Sequence, residues 1–335
     1  MEYVSIPGVD RQLTRVALGT WAIGGWMWGG TDEQESIDTI HAALDKGVNI
    51  IDTAPVYGFG KSEEIVGKAV KHYSGEKPAI ATKVAMNFDP DENKVWRDST
   101  PERIKKEIED SLKRLQVEHI DIYQVHWPDP LVPFEETADQ LLRLQKDGKI
   151  GAIGVSNYSP EQMEEFRKKA RLSTCQPPYN IFERQIEDDV LPYCHENAIS
   201  TLTYGALCRG LLSGKMSRNR SFDGDDLRNV DPKFQGERFD QYLEAVQKLD
   251  NFAREKHDRR VIHLAIRFVL DKGATIALWG GRRPDQMDPL PEMFGWRLND
   301  EDMAEIDRIL RDTINDPVGP EFMAPPDKNG DVPEK

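Results

Sequence analysis

The chain has 335 residues, a length that suits one large α/β barrel or two medium-sized domains. It carries 44 basic and 59 acidic residues, and the resulting net charge of −15 argues against nucleic acid as a partner, because neutralising phosphates requires a basic surface. The three cysteines, Cys175, Cys194 and Cys208, show no CxxC spacing and are expected to be free thiols in a reducing compartment.

The sequence gives no indication of a membrane or a metal. Glu2 is followed by no long apolar region, so the start of the chain does not resemble a signal peptide. No apolar run approaches the ~18 residues that are needed to span a bilayer. The seven histidines lack the paired spacing of metal ligands, so no metal site is expected. We therefore predict a cytoplasmic protein, and the sequence leaves its oligomeric state open.

Short β-branched runs alternate with amphipathic helical stretches along the whole chain. The predicted strands are 15–20, 48–53, 79–84, 120–126, 150–156, 172–177, 199–205 and 274–280. Their near-continuous hydrophobicity is typical of a parallel sheet that is covered by helices. The predicted helices are 32–46, 61–73, 100–115, 134–147, 159–170, 187–197 and, within 238–271, two helices that separate near Asp258.

Eight strand–helix units without a break in composition favour a single (β/α)8 TIM barrel, an α/β fold, over residues 1–315. The first fifteen residues, with a turn at Pro7-Gly8, are predicted to form an N-terminal β-hairpin that precedes the barrel. The alternative is a doubly wound sheet with a second domain, but no Pro/Gly/Ser-rich linker divides the chain. Residues 316–335 are rich in Pro, Asp and Lys and are predicted to be a surface-hugging or frayed tail.

Two glycine-rich stretches resemble phosphate-binding loops without matching them. In "GFGKS" (58–62), the position five residues before Gly60, where a P-loop needs glycine, is Pro55. The stretch "GTWAIGGWMWGG" (19–30) lacks the G-x-G-x-x-G spacing of a dinucleotide fingerprint. Its three indoles instead predict a loop that lines an aromatic-walled pocket, and packing over a barrel mouth is the alternative.

Four polar residues lie at or just beyond the ends of three consecutive predicted strands. Asp52 ends the second strand and Tyr57 follows in its loop, while Lys83 and His126 end the third and fourth strands. In a barrel, reactive groups are found at this end of the strands. One such residue alone is usually a loop residue in contact with water, but four of complementary chemistry suggest a site. A lysine in an apolar strand needs a counter-charge, and Asp52 is its natural partner.

This group predicts a site for carbonyl–alcohol redox chemistry. A free tyrosine has a pKa of roughly 10, and a nearby ammonium favours the phenolate and lowers that pKa. Tyr57 is then expected to give a proton to a carbonyl oxygen as hydride reaches the carbon, or to take one from an alcohol. Asp52 would keep Lys83 charged, and His126 would orient the substrate oxygen. The alternative, a Schiff-base aldolase with Lys83 as nucleophile, needs a neutral amine instead.

These residues lie in motifs that resemble the aldo-keto reductase family over nearly the whole chain. The motifs are "GTW" (19–21), "IDTAPVYGFGKSEEIVGKAV" (51–70), "ATKV" (81–84), "IDIYQVHWPD" (120–129), "GKIGAIGVSNYSPEQ" (148–162), "QPPYNIFER" (176–184) and "YGALCRGLLSGK" (204–215). The resemblance implies a (β/α)8 barrel, a nicotinamide cofactor bound without a Rossmann domain, and a catalytic tetrad of Asp52, Tyr57, Lys83 and His126. Within the family, the chain is most similar to the bacterial general-stress and sugar/aldehyde reductases. A nicotinamide-binding sensor subunit with slow turnover also resembles this family and is a further alternative.

The resemblance also implies where the nicotinamide end of the cofactor binds. Ser156, Asn157 and Gln176 are implied to hold the carboxamide, and Tyr204 to stack on the nicotinamide ring. The remaining implied contacts on this side are Gly19, Thr20, Trp21 and Asp52.

Two later loops are predicted to hold the phosphates of the cofactor. The first follows strand seven and supplies backbone N–H groups and cationic side chains to the pyrophosphate, from Gly205, Leu207, Arg209 and Lys215. The second follows strand eight and contains Gly280, Gly281, Arg282, Arg283 and Gln286.

Adjacent arginines at the predicted start of a helix are unfavourable unless an anion is expected there. Arg282 and Arg283 therefore predict a site for the 2′-phosphate of NADPH or NADP+, with Gln286 in contact with adenine. The chain departs from the common family pattern at Trp279 and at 288–290, so weaker use of NADH is also expected.

The predicted substrate site is an aromatic, mostly uncharged cup that suits aldehydes, ketones or the apolar faces of sugars. Its predicted walls are Trp21, Val56, Tyr57, His126 and Trp127, with Trp26, Trp28 and Trp96 as additions. The long segment 85–99 is expected to fold over it.

Overall fold

The computed structural model of the chain describes residues 1–331. Its strands are, in chain order, β1 (Tyr3–Ser5), β2 (Gln12–Thr14), β3 (Val16–Gly19), β4 (Ile50–Asp52), β5 (Ala79–Val84), β6 (Met86–Asp89), β7 (Lys94–Arg97), β8 (Ile120–Val125), β9 (Ile150–Ser156), β10 (Thr174–Gln176), β11 (Ser200–Thr203) and β12 (Ile276–Gly280).

The helices alternate with the strands. They are α1 (Trp21–Gly24), α2 (Glu33–Asp45), α3 (Lys61–His72), α4 (Pro101–Leu115), α5 (Phe134–Lys146), α6 (Pro160–Arg167), α7 (Val190–Glu196), α8 (Gly236–His257), α9 (Val261–Asp271) and α10 (Asp300–Thr313). Short 3-10 helices occur at Gln185–Glu187, Cys208–Ser213, Leu227–Asn229, Pro232–Phe234, Pro284–Met287, Leu290–Met293 and Glu321–Met323.

Eight strands form a closed parallel barrel, in the chain order β3, β4, β5, β8, β9, β10, β11 and β12. The barrel closes where β12 pairs with β3, with Gly280 opposite Gly19. Each barrel strand lies within one of the eight predicted strands, so the predicted (β/α)8 barrel is confirmed. All eight strands point the same way, and their carboxyl ends therefore meet at one mouth.

The other end of the barrel is closed by the predicted N-terminal hairpin. Strands β1 and β2 pair antiparallel, with Val4 opposite Leu13. The buried side chains of Ile6 and Leu13 pack in one cluster with barrel-lining residues such as Ile50 and Ile122. The hairpin therefore fills the amino-terminal end of the barrel.

The helix boundaries follow the start and stop signals in the sequence. Thr100 caps α4 by accepting a hydrogen bond from the Arg103 N–H, and Ser159 forms a reciprocal capping box with Gln162 at the start of α6. Asp258 takes a left-handed conformation between α8 and α9, so the predicted break within 238–271 is confirmed. Within residues 1–331, no helix is both long enough and apolar enough to cross a membrane.

Two segments outside the eightfold repeat reach the mouth of the barrel. Strands β6 and β7 form an antiparallel hairpin within the predicted loop 85–99. Residues 316–331 of the predicted tail lie against the carboxyl face, where Arg97 N–H donates to the Pro326 carbonyl over 3.0 Å and Lys233 Nζ donates to the Gly319 carbonyl over 3.0 Å. The domain division at residue 315 stays a prediction, and the last four residues of the predicted tail, 332–335, lie outside the described residues.

Candidate active site

Three of the four predicted catalytic side chains are joined by direct hydrogen bonds at the barrel mouth. Lys83 Nζ donates to Asp52 Oδ1 over 2.7 Å, to the Thr53 carbonyl over 3.0 Å and to the Tyr57 hydroxyl over 3.2 Å. Lys83 is 1% exposed and Asp52 is 2% exposed, so this ion pair is shielded from water. The three donors of the ammonium are thus all used, and one of them goes to the phenol.

The pKa values of this group follow from burial and from the contacts of the ammonium. Burial lowers the pKa of Lys83, but Asp52 and Tyr57 outweigh it and the pKa is raised, so the amine stays charged. Burial also raises the pKa of Tyr57 and exceeds the opposing effect of Lys83. The prediction that Lys83 leaves Tyr57 with a lowered pKa is therefore wrong in its net direction, although the contribution of Lys83 has the expected sign. At neutral pH, Tyr57 holds its proton.

His126 lies on the other side of Tyr57. The two rings are 5.7 Å apart and nearly perpendicular. Burial, and then the charge of Lys83, hold the pKa of His126 well below its usual range, so the imidazole is neutral at neutral pH. Its Nδ1 has no hydrogen-bond partner among the described residues. A neutral imidazole next to a protonated phenol is suited to hold a substrate oxygen.

The loop that carries Tyr57 is held by a close backbone contact with α1. A Cβ added to Gly24 would lie 2.6 Å from the Tyr57 carbonyl carbon, and one added to Gly58 would lie 2.1 Å from the Gly24 carbonyl oxygen. Gly58 also has a φ of +65°, which L side chains rarely adopt. Glycine at both positions therefore lets the Tyr57 loop pack directly on α1, where the Trp21 ring stacks on the Tyr57 ring at 5.9 Å.

The predicted substrate-binding side chains surround this phenol. Val56 and Met86 are buried in one apolar cluster, against which Tyr57 and Trp127 pack. Trp26 and Phe88 pack against the same cluster, so β6 takes part in the wall. The structure thus brings Trp21, Val56, Tyr57, His126 and Trp127 together, and their role in substrate binding stays a prediction.

The residues predicted to hold the carboxamide are bonded to one another and to the tetrad. Gln176 Nε2 donates to Asp52 Oδ2 over 2.8 Å, and Ser156 Oγ donates to the Gln176 carbonyl over 2.7 Å. Asn157 Nδ2 donates to the His126 carbonyl, and Asn157 Oδ1 accepts from the Tyr204 hydroxyl over 2.9 Å. These contacts connect the three residues to Asp52 and to the backbone of His126. Binding of a carboxamide by Ser156, Asn157 and Gln176 stays a prediction.

A cleft of about 420 Å³ runs from Tyr57 along the barrel mouth. Most of the predicted cofactor-binding residues line it, namely Gly19, Thr20, Trp21, Asp52, Tyr204, Gly205, Leu207, Arg209, Gly280, Gly281, Arg282, Arg283 and Gln286. Lys215 lies away from the lining and is exposed, 4.0 Å from Asp285. Trp28, predicted to line an aromatic-walled pocket, is part of the lining, and the residues missed at the sequence level include Glu35, Arg228 and Met323.

The far end of this cleft is basic in a protein of strongly negative charge. Arg220, Arg228, Arg282 and Arg283 all line it. Burial and then the nearby charge of Arg228 lower the pKa of Arg282, although Arg228 is itself paired with Asp226 at 2.5 Å. Arg282 donates to the carbonyls of Trp28 and Gly30 over 2.6 and 2.5 Å, and no ion pair within the described residues includes it. Crowded guanidinium groups beside an elongated cleft fit the phosphates of a nicotinamide nucleotide.

Two details of this end differ from the sequence-based picture. The segment after the arginines is a single 3-10 turn, Pro284–Met287, and not a longer helix. Gln286 Oε1 accepts the backbone N–H of Arg282 over 2.7 Å and so shapes the turn itself. Contact between Gln286 and adenine stays a prediction.

Arg209 lies in a buried cluster of four charged side chains, which we call the Arg209 cluster: Glu183, Arg209, Asp231 and Lys233. The guanidinium contacts both Glu183 and Asp231, and Lys233 Nζ lies 2.8 Å from Glu183 Oε1. Burial raises the pKa of Glu183, but Arg209 and Lys233 outweigh it and hold the pKa below its usual value. The charge of Arg209 is therefore already matched, and its predicted role at a pyrophosphate stays a prediction.

Comparisons with known proteins agree with this geometry. Residues 15–311 match the family model described as the aldo/keto reductase family. The chain is 59% identical over 328 residues to the aldo-keto reductase YhdN of Bacillus subtilis, covering 97% of this chain and 98% of that protein. It is 33% identical over 316 residues to the NADH-specific methylglyoxal reductase of Escherichia coli, covering 90% and 96% of the two chains.

Solved structures show the same similarity. The glycerol dehydrogenase AKR11B4 from Gluconobacter oxydans superimposes with a TM-score of 0.87 at 53% identity, over 96% of this chain and 99% of that one. The holo form of the aldo-keto reductase AKR11C1 from Bacillus halodurans gives a TM-score of 0.76 at 26% identity, over 92% and 96% of the two chains.

Proposed function

The chain belongs to the aldo-keto reductase family, whose members are oxidoreductases of carbonyl compounds that use nicotinamide cofactors, and we propose that it is an NADPH-dependent reductase of aldehydes and ketones. Tyr57 is the proton donor, and the reaction is reversible. The observation that carries the proposal is the Lys83 ammonium, which bonds Asp52 on one side and the Tyr57 hydroxyl on the other at the mouth of the barrel.

The proposed mechanism assigns one task to each member of the tetrad. A bound nicotinamide supplies hydride to the carbonyl carbon or accepts it from an alcohol. Tyr57 gives its hydroxyl proton to the carbonyl oxygen, which avoids a free alkoxide, and Lys83 stabilises the phenolate that is left. His126, neutral at physiological pH, bonds the substrate oxygen and directs it towards Tyr57. Asp52 and Gln176 keep the ammonium fixed.

The wall around Tyr57 supports a small carbonyl substrate. Trp21, Val56 and Trp127 are apolar or aromatic and offer no cation to a substrate carboxylate. Relatives of this chain are described as acting on methylglyoxal and on glycerol, which are both three-carbon compounds with more than one oxygen. We therefore assign small oxygenated aldehydes and ketones as substrates, with the corresponding alcohols in reverse.

The choice of NADPH rests on the arginine end of the cleft. Arg282 and Arg283 offer a bidentate cationic partner to a 2′-phosphate, and the crowding of Arg282 with Arg228 is relieved when an anion binds. One relative is described as NADH-specific, so the family as a whole does not dictate this choice.

The raised pKa of Lys83 argues against the aldolase alternative, because a Schiff base forms from a neutral amine. The sensor alternative predicts that the protein binds nucleotide without turning over a carbonyl substrate. The assay described next distinguishes this alternative from a reductase.

The experiment is a panel of aldehydes and ketones assayed with NADPH and NADH, for the wild-type protein and for Tyr57→Phe. We expect wild-type turnover with NADPH, and a fall in kcat of about 10²- to 10⁴-fold in the variant, the usual range for loss of a general acid. Nucleotide affinity, measured by fluorescence quenching, should stay within about threefold, since only the hydroxyl is removed. Binding without turnover in the wild type would contradict the proposal and favour the sensor, and turnover retained by Tyr57→Phe would remove Tyr57 as the proton donor.

A further inference from the structure

The strand that carries Lys83 is held from outside the barrel by two buried carboxylates. Glu63 in α3 is fully buried and Glu107 in α4 is 1% exposed. Buried carboxylates are costly unless they are paired and hydrogen-bonded, so each must have partners that justify its position. One partner of Glu63 belongs to β5, and one partner of Glu107 is the residue that directly follows β5.

Glu63 contacts β5 just before Lys83. Its Oε1 accepts the Thr82 hydroxyl over 2.7 Å, and its Oε2 accepts Arg114 Nε over 2.7 Å and the Ser111 hydroxyl over 3.2 Å. The carboxylate therefore joins the strand to helix α4 with every bond inside the protein.

Glu107 contacts the chain just after β5. Its Oε2 accepts the backbone N–H of Ala85 over 3.0 Å, and its Oε1 accepts Arg103 Nη2 over 2.5 Å. Ala85 has a φ of +74°, a left-handed conformation that an alanine keeps only where its surroundings impose it. The hydrogen bond from the Ala85 N–H to Glu107 is one such constraint. It is made just after Val84, the last residue of β5.

The two bonds bracket Lys83. Because successive side chains of a strand point to opposite faces, Thr82 faces the helices while Lys83 faces the barrel interior. On that side the bond from Lys83 Nζ to Tyr57, at 3.2 Å, is longer than those to Asp52 and Thr53, at 2.7 and 3.0 Å. A small shift of the strand end would therefore break the contact with the phenol first.

We propose that Glu63 and Glu107 are positioning residues, which fix the end of β5 so that Lys83 stays bonded to Tyr57. Neither carboxylate lines the cleft, and each acts through Lys83. The inference rests on the proposed function, since it assumes that the contact between Lys83 and Tyr57 matters for turnover. If the carboxylates only attach α4 to the barrel, their loss lowers stability and leaves the chemistry unchanged.

The test compares Glu107→Ala with a matched variant, in β8, that also removes a carboxylate bonded to a backbone N–H of the segment carrying Lys83. Asp121 Oδ2 accepts the backbone N–H of Ile80 over 2.8 Å, so Asp121→Ala removes an equivalent bond three residues before Lys83. We expect Glu107→Ala to lower kcat about tenfold, since small misplacements of catalytic groups have effects of this size, while KM for the carbonyl and the Kd for NADPH stay within about twofold. Asp121→Ala should keep the wild-type kcat.

Two further variants complete the experiment. Glu107→Gln keeps an oxygen that accepts the Ala85 N–H and should restore most of the lost kcat. Thr82→Val removes only the hydroxyl that Glu63 accepts, at nearly constant volume, and should lower kcat about threefold at unchanged KM. If Glu107→Ala does not fold, Thr82→Val decides by the same criterion.

Wild-type kcat in Glu107→Ala and Thr82→Val, or an equal fall in Asp121→Ala, would overturn the inference. Tyr57→Phe separates this outcome from a failure of the proposed function. If Tyr57→Phe is inactive while Glu107→Ala and Thr82→Val turn over normally, only the positioning role is wrong. If Tyr57→Phe turns over normally, the proposed function itself is wrong.

Discussion

Two buried groups of charged residues lie at the carboxyl end of the barrel. They differ in which acceptors their cations hydrogen-bond. Lys83 bonds Asp52 but also the hydroxyl of Tyr57, which lines the cleft. In the Arg209 cluster, two cations face two carboxylates, and Lys233 gives a further bond to the Gly319 carbonyl. A buried ammonium that bonds a hydroxyl lining a cleft suits the proposed catalysis, whereas a charge matched entirely by other side chains of the protein is suited to stabilising the fold.

The largest expected effect comes from removing the two buried lysines in turn. Lys83→Met should lower kcat about 10³-fold, because the Tyr57 phenolate loses the ammonium that stabilises it. Lys233→Met, an equally buried lysine, should leave kcat of the folded protein within about threefold, because Lys233 contacts no group of the tetrad. Saturating kinetics on both variants measure the difference. Similar losses of kcat would show that the two groups are not distinct in function.

Arg209→Met tests whether the Arg209 cluster is structural. Removing the guanidinium leaves Glu183 and Asp231 buried with Lys233 as their remaining cation, so the free energy of unfolding should fall by about 3–5 kcal/mol. Urea unfolding measures this fall, and titration with NADPH measures nucleotide affinity, which should change less than about threefold. A large loss of affinity with little loss of stability would instead make Arg209 a pyrophosphate ligand, as the family resemblance implies.

A smaller and more selective effect is expected at the basic end of the cleft. Arg282→Ala should raise the Kd for NADPH about 10- to 100-fold, the equivalent of one charged hydrogen-bonding partner, and should affect NADH far less. The change in Kd for NADPH must be compared with the change for NADH, because Arg282 also donates to the carbonyls of Trp28 and Gly30. Loss of those two hydrogen bonds would release the loop and weaken the binding of both cofactors equally. Arg283→Ala is the comparison, and its NADPH-selective loss should be smaller, since Arg283 is already paired with Asp285 at 3.0 Å. Equal losses for both cofactors would place the 2′-phosphate elsewhere.

The fold was predictable because each of its units repeats the same physical signals. Eight apolar runs of strand length alternate with capped amphipathic stretches. A parallel sheet covered by helices buries both the apolar strands and the apolar faces of the helices. The proximity of the four predicted catalytic residues was predictable for a related reason. Strand ends converge in a barrel, so Asp52, Lys83 and His126 could be placed together without knowing any distance.

What escaped the sequence analysis depends on long-range partners. Arg209 could not be recognised as already paired, because Glu183, Asp231 and Lys233 lie elsewhere in the chain and approach it only in the fold. The net pKa shift of Tyr57 depends on how deeply the phenol is buried, which no local pattern gives. Met323 lies in a proline-rich tail without periodicity, so nothing in the sequence indicated that it reaches the cleft.

The closed and open ends of the barrel have a practical consequence for handling the protein. The N-terminal residue lies beside the hairpin that plugs the barrel, and Met1 is 37% exposed. Near the other end of the described residues, Met323 lines the cleft and the Phe322 ring lies 5.6 Å from the Arg209 guanidinium. Purification tags, surface tethers and fusion partners therefore belong at the amino terminus, where they lie away from the proposed nucleotide and substrate cleft.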